Sequence, residues 1–159
     1  MSAWGDGAEF DALMKMRKRE LRLLLDSPRV HADDAVNRAP ETQGCYAIWK
    51  RGLVRPLYIG ESENLKNRVH QHFVAAHPTQ FREWLAKNTQ VKETRFRKRS
   101  QRDSEGLKAW IREWCEVQYI AFLGDRFRLE QLAIGVLDPV LQSNSENEDP
   151  NVFDEIHSG

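Results

Sequence analysis

The sequence predicts an α+β fold: a small, mainly antiparallel sheet of about three strands flanked by helices, with an extra N-terminal helix and a helical insertion. Three observations predict it. Tyr46 to Trp49 and Leu57 to Ile59 are short aromatic and β-branched runs, and the residues between them include Gly52 and Pro56, so the pair reads as a hairpin. The hairpin runs directly into a helical period in which Leu65, Val69 and Phe73 recur at intervals of four. Residues 116 to 123, Glu-Val-Gln-Tyr-Ile-Ala-Phe-Leu, have the composition of a central strand.

Residues 8 to 25 read as an amphipathic helix, with Phe10, Leu13, Met14, Leu21 and Leu24 near one face and Lys15, Arg17, Lys18, Arg19 and Arg22 as a basic cluster. Packing on the rest of the chain is the first use expected of it. Residues 26 to 43 contain Asp26-Ser27-Pro28 and Ala39-Pro40 and read as an ordered loop or linker, which closes an N-terminal segment 1–43. After the hairpin, Ser62 makes an N-cap, with Glu63 in the first turn where the helix dipole favours negative charge. On that helix Asn64, Arg68 and His72 form a polar stripe one residue ahead of the apolar one, at the edge of a cleft. An insertion at about 78–114 follows. Pro78-Thr79 starts a short helix with Phe81, Trp84 and Leu85 on its apolar face, and residues 103 to 114 form another with Leu107, Trp110, Ile111 and Trp114. Gly124-Asp125 ends the late strand and caps a helix to about Leu137, which Asp138-Pro139 stops. The tail, 145–159, is acidic and poor in apolar residues, and partial disorder is expected of it.

At 159 residues the expected count is one domain with a real core. Lysine plus arginine balance aspartate plus glutamate at 24 each, which argues against a general nucleic-acid coat. The charges are nevertheless separated along the chain. Residues 92 to 112 hold eight basic residues against three acidic ones, while the last fifteen residues hold five acidic residues and no lysine or arginine. A local run of that kind can place a positive face on a neutral protein, and Arg95, Arg97, Lys98, Arg99 and Arg102 are the candidates for contact with a phosphate backbone. Cys45 and Cys115 stand alone, so neither a zinc site nor a disulfide framework is suggested and a reducing, cytoplasmic setting is expected. No signal peptide is visible near Asp6, Glu9 and Asp11, and the longest aliphatic run, Leu23 to Leu25, is far too short for a bilayer.

Two glycine- and tyrosine-bearing triplets, Gly44-Cys45-Tyr46 and Tyr58-Ile59-Gly60, precede Arg68 and His72 in that order. Leu129-Glu130, Ala133-Ile134 and Pro139 come much later. On these residues the chain resembles the GIY-YIG nuclease family over roughly residues 44 to 144, with Cys45 in place of the usual isoleucine at a packing position. Either triplet alone is a common string. Their order, the Arg/His pair and one acidic residue opening a late helix make the match specific.

The resemblance implies a metal-dependent DNA endonuclease, restriction-type or stand-alone, using Mg2+ or Mn2+ held by Glu130 as the single protein ligand. Tyr46 would be the general base or would orient the attacking water, and Tyr58 would help position water or phosphate. A tyrosine has a pKa near ~10, so a base role needs nearby positive charge. Arg68 offers that charge and a forked donor set matched to phosphate oxygens. His72 would hydrogen-bond Tyr46 or a phosphate oxygen, and Asn64 is a supporting candidate. The family commonly has an asparagine three residues after the proline, where this chain has Gln142, with Asn144 two residues later; which of the two serves is open. Cutting both strands would be easiest for a homodimer, since one site cuts one strand. The alternative is a GIY-YIG-like module that binds nucleic acid and has lost catalysis.

Overall fold

The computed structural model describes residues 7–88 and 104–142. In chain order these form α1 (Ala8–Leu25), β1 (Val30–His31), α2 (Ala32–Arg38), β2 (Gly44–Lys50), β3 (Tyr58–Ser62), α3 (Leu65–Phe73), α4 (Gln80–Lys87), α5 (Ser104–Trp114), β4 (Cys115–Ala121) and α6 (Arg126–Leu137). The sheet has four strands in the order β1-β4-β2-β3, not three, and every pairing is antiparallel. The additional strand is Val30–His31, paired with Val117 and Glu116, and it lies with α2 inside the segment 26–43 expected to be a loop. A two-residue strand has no period for a sequence to display.

Alternation along β2 sends its side chains into two cores. Tyr46 and Ile48 join Tyr58, Val117, Leu65, Val69, Phe73, Phe81, Leu85, Trp110 and Ile111 on the face covered by α2 to α5. Ala47 and Trp49 join Ile59, Leu21 and Leu24 of α1 and Ala133 of α6 on the other. The central strand is thus buried on both sides, and α4 and α5 contribute to the larger core. At the far end of α3, Lys108 Nζ donates to the carbonyl of Val74, the residue that terminates the helix, at 3.1 Å.

The helix α1 has the bounds its periodicity predicts, and its buried residues lie in its C-terminal half. Leu21 and Leu24 are buried, whereas Phe10 and Met14, expected on the same inward face, are 46% and 47% exposed. The end of α1 is fixed by Gln118, whose Nε2 donates to the carbonyls of Leu25 and Ser27 at 2.9 and 2.8 Å while its Oε1 accepts from Trp49 Nε1 at 2.8 Å. A buried amide with its donors and acceptor satisfied holds helix to sheet.

Ser62 does not cap α3. Asn64 does, its side chain accepting from the Asn67 N–H at 3.0 Å, while Ser62 Oγ donates to the Asn64 carbonyl and accepts its N–H. Asn64 therefore stands before the helix and not on its polar stripe. Thr79 and Asp125 cap α4 and α6. The strand β4 ends at Ala121, so Phe122 and Leu123 fall outside it.

After α6 the chain turns through Asp138, whose φ of 47° is uncommon for a residue with a side chain. Arg55 holds that turn with a 2.9 Å ion pair to the Asp138 carboxylate. Val140 and Leu141 then donate their N–H groups to the carbonyls of Pro56 and Leu57, both at 3.0 Å, so the chain runs beside β3, the strand at the sheet's edge.

Gly44 marks the closest approach in the sheet. A Cβ there would overlap the carbonyl oxygen of Ile120 and press on Leu65. Gly44→Ala is expected to lower stability by about 3 kcal/mol, the upper range for overpacking a core. Urea denaturation measures it; a variant within ~0.5 kcal/mol of the parent, as for an ordinary surface change, would mean the two strands separate easily here.

Candidate active site

The antiparallel register sets Tyr46 opposite Gly60 and Ile48 opposite Tyr58, so both tyrosines point to the face covered by α3. A Cβ on Gly60 would overlap the Tyr46 hydroxyl. The third residue of the second triplet is thus small because the phenol of the first lies across it. The tyrosine rings are 6.4 Å apart with an interplanar angle of 26°, and the His72 ring lies 5.4 Å from Tyr46 and 5.7 Å from Tyr58.

Tyr46 Oη and His72 Nε2 share a buried hydrogen bond of 2.6 Å, and His72 Nδ1 shares one of 2.8 Å with Thr79 Oγ1. Burial, with the charges of Arg68 and Arg82, pushes the His72 pKa down to about 3, so the ring is neutral. A neutral imidazole donates from one nitrogen and accepts at the other, so Tyr46 and Thr79 must take opposite roles. Thr79 is legible in the sequence as the start of α4, not as the partner that fixes this ring.

Tyr46 is 2% exposed, and burial raises its pKa well above the usual tyrosine range; Tyr58, Glu130 and Glu61 add to that and Arg68 opposes it. The positive charge expected to help is present, but burial wins, and the free protein holds Tyr46 as a phenol. Tyr58 is shifted upward too, by burial and by Glu130 against Arg68. Its hydroxyl has no hydrogen-bond partner among the described residues and is not among the buried unpartnered polar atoms.

Arg68 is partly buried, and its Nε has no partner among the described residues. It lines a polar cleft of about 340 Å³ with Glu61, Asn64, Asn67, Gln71 and Arg126. Glu130, on α6, comes from the opposite layer, yet its charge is felt by both tyrosines. Its carboxylate makes no hydrogen bond or ion pair with a described residue. Burial first, then Glu61, raises its pKa, with Arg68 pulling the other way. A partly buried carboxylate left this short of compensation fits a cation, and Glu130 is the residue that would hold one. Among the described residues no group of three or more His, Cys, Asp or Glu side chains is arranged around a metal, so most of its shell would have to come from water and phosphate.

Gln142 has its side-chain amide directed at the strand. Its Oε1 accepts the Ile59 N–H and its Nε2 donates to the Ile59 carbonyl, both at 2.7 Å. The amide thereby acts as an extra peptide group on the edge of β3, between Tyr58 and Gly60. Cys45 is fully buried, its thiol pKa pushed up to about 12 by burial first of all, in keeping with a packing position. Asn144, the basic candidates Arg95, Arg97, Lys98, Arg99 and Arg102, and the acidic tail lie outside the described residues. Two residues that sequence reasoning passes over, Glu61 and Arg126, meet in a 2.8 Å ion pair beside Glu130.

Tyr46, Tyr58, Arg68 and Glu130 thus lie within electrostatic reach of one another, with neutral His72 bonded to Tyr46. The GIY-YIG catalytic domain model matches residues 45–157, and the chain belongs to that family of nuclease domains. The UvrABC system protein C of Mycoplasma genitalium is 45% identical over 40 residues, a stretch covering 25% of this chain and only 6% of that relative. Among solved structures, the GIY-YIG N-terminal endonuclease domain of UvrC from Thermotoga maritima, bound to magnesium as its catalytic divalent cation, is 21% identical. It covers 70% of this chain and 94% of its own length, with a TM-score of 0.37. A point mutant of that domain, also bound to its divalent cation, is 21% identical over 71% of this chain and 96% of its own, with a TM-score of 0.38.

Proposed function

We propose that this chain is a metal-dependent endonuclease that hydrolyses DNA phosphodiester bonds, as a restriction-type or stand-alone enzyme. The observation that carries the reading is the pairing of uncommitted groups in one place. Arg68 and Glu130 have opposite charges, lie within electrostatic reach of the tyrosines, and their side chains make no hydrogen bond or ion pair with a described residue. A phosphate and a cation would supply the partners they lack.

Hydrolysis needs an activated water and charge neutralisation at the phosphate. Because Tyr46 is a phenol bonded to His72, it serves best as a relay: it takes a proton from the attacking water and passes its own to His72 Nε2. That requires the His72 Nδ1–H to donate to Thr79 Oγ1. The imidazolium so formed is disfavoured in the free protein by burial first and then by Arg68 and Arg82, and a phosphate anion bound on Arg68 would offset the arginine's share of that. Tyr58, whose hydroxyl has no hydrogen-bond partner among the described residues, would orient the water or a phosphate oxygen. Arg68 would fork onto the phosphate. A divalent cation on Glu130 would neutralise charge on the phosphate and the leaving oxygen. Gln142 would support Tyr58 through the backbone of Ile59.

The test is incubation of pure protein with supercoiled plasmid in Mg2+ or Mn2+. Nicked or linear product supports the reading, and plasmid left intact in both metals overturns it. The commitment of Gln142 to the backbone favours a second reading, a module that binds nucleic acid without cutting it; DNA bound yet uncut would select that one. Homodimer formation is proposed on strand count alone. No helix among the described residues is long and apolar enough to cross a membrane.

The DNA path is proposed to follow the basic stretch. Replacing Arg97, Lys98 and Arg99 together by alanine should weaken binding and flatten its salt dependence by about 0.9 in log–log slope for each phosphate left without its cationic partner. Fluorescence-anisotropy titrations at several salt concentrations give the slope. A slope equal to the parent's would move the path elsewhere, with the basic face of α1 next in line.

A further inference from the structure

We propose that Arg126 is a positioning residue that sets Glu130 against the two tyrosines, acting through Glu61 and Gln43; the proposal rests on the nuclease reading above. Arg126 opens α6, and Glu130 stands four residues on, so the two share a helix face. The Arg126 guanidinium reaches both tyrosine-bearing strands. Its Nε donates to Glu61 Oε2 at 2.8 Å, directly after Gly60 on β3, and its Nη1 donates to Gln43 Oε1 at 2.6 Å, directly before Gly44 on β2. Gln43 is itself fixed: its Nε2 donates to the Phe122 carbonyl at 3.2 Å, and its own carbonyl accepts the Phe122 N–H at 3.1 Å. The Arg126 carbonyl accepts from Cys45 Sγ at 3.5 Å, a further tie between the same helix end and the same strand.

The first turn of α6 needs such a tie because the helix's apolar contacts begin only at Leu129. Leu129 and Ala133 are buried and Leu132, Ile134 and Leu137 are partly buried against the core, while Phe127, beside Arg126, is 65% exposed. With no apolar side chain before Leu129 packed inward, the guanidinium is what fixes the start of the helix, and so the direction in which Glu130 leaves it. The forked guanidinium fixes that direction with two divergent bonds. Lysine could satisfy Glu61 or Gln43 but not both in this geometry. Arg126 also pairs with Glu61, which leaves Glu130 as the carboxylate of the two that has no ion pair among the described residues.

The experiment compares the parent with Arg126→Gln and Arg126→Lys in three measurements. In the DNA-free protein, Mn2+ broadening of backbone amide signals in 15N spectra reports where a cation sits; in the parent it should affect Glu130 together with Tyr58 and Gly60. In Arg126→Gln the broadening of Tyr58 and Gly60 should drop relative to Glu130, with Arg126→Lys in between. The Mg2+ concentration giving half-maximal plasmid cleavage should rise about tenfold in Arg126→Gln, the scale of losing an outer partner of a metal ligand. DNA affinity in Ca2+ should change little. An unchanged broadening ratio in Arg126→Gln, or no broadening of Glu130 in the parent, overturns the proposal. If Arg126→Gln fails to fold, the same ratio in Arg126→Lys decides. A parent that leaves plasmid uncut removes the nuclease reading, and the broadening ratio still judges the position of Glu130.

Discussion

Glu130→Gln and Glu130→Ala are expected to reduce plasmid cleavage by on the order of 10³, the upper range for losing one preorganised electrostatic group. Neither should damage the fold. The carboxylate makes no hydrogen bond or ion pair with a described residue, so its removal strands no partner among them. Its pKa is raised in the folded chain, by burial and by Glu61. A carboxylate that binds its proton more tightly when folded opposes folding in its ionised form, and that penalty is present at neutral pH and relieved as pH falls through the raised pKa. Glu130→Gln should therefore melt at or above the parent's temperature while it stops cutting. Cleavage assays in Mg2+ beside thermal melts test both halves. Near-parental cutting would remove Glu130 from the site, and a large drop in melting temperature would show that the carboxylate has a structural partner.

Much of this arrangement is legible in the sequence, for a physical reason. Strands β2, β3 and β4 and the longer helices carry periodic patterns, and Asp125 and Thr79 cap helices where such residues usually do. Val30–His31 and α2 escape a sequence reading because elements of two and seven residues are too short to establish a period. The apolar stripe of α1 is legible, but whether anything covers its first half depends on where α6 lies, and Phe10 and Met14 remain exposed. Of the candidate site, Tyr46, Tyr58, Arg68 and His72 are picked out by the resemblance to the GIY-YIG family, and they lie on adjacent elements. Gln43, Glu61 and Arg126 are not picked out, because their meeting joins residues up to 83 positions apart. Gln142 shows the same limit: its place in the chain is evident, whereas the direction of its amide follows from the course of residues 139–142 beside β3.

Tyr46→Phe is expected to slow cleavage by roughly 10² or more, as loss of a general base or proton relay does. The substitution keeps the ring that packs beside Tyr58 and His72 and removes only the oxygen that lies across Gly60. It has a second consequence that Tyr58→Phe should lack. His72 Nε2 is buried, with the Tyr46 hydroxyl as its partner at 2.6 Å, so the variant leaves a buried ring nitrogen unsatisfied and should lose about 1–3 kcal/mol of stability. The Tyr58 hydroxyl has no partner among the described residues, so Tyr58→Phe should lose activity with stability nearly unchanged. Single-turnover cleavage rates and urea denaturation on both variants separate these effects. If Tyr46→Phe lost stability but cut at the parental rate, the Tyr46–His72 bond would be structural, and the water would have to be activated from the Tyr58 side. If both variants cut normally, neither phenol would handle the proton and the relay would be wrong.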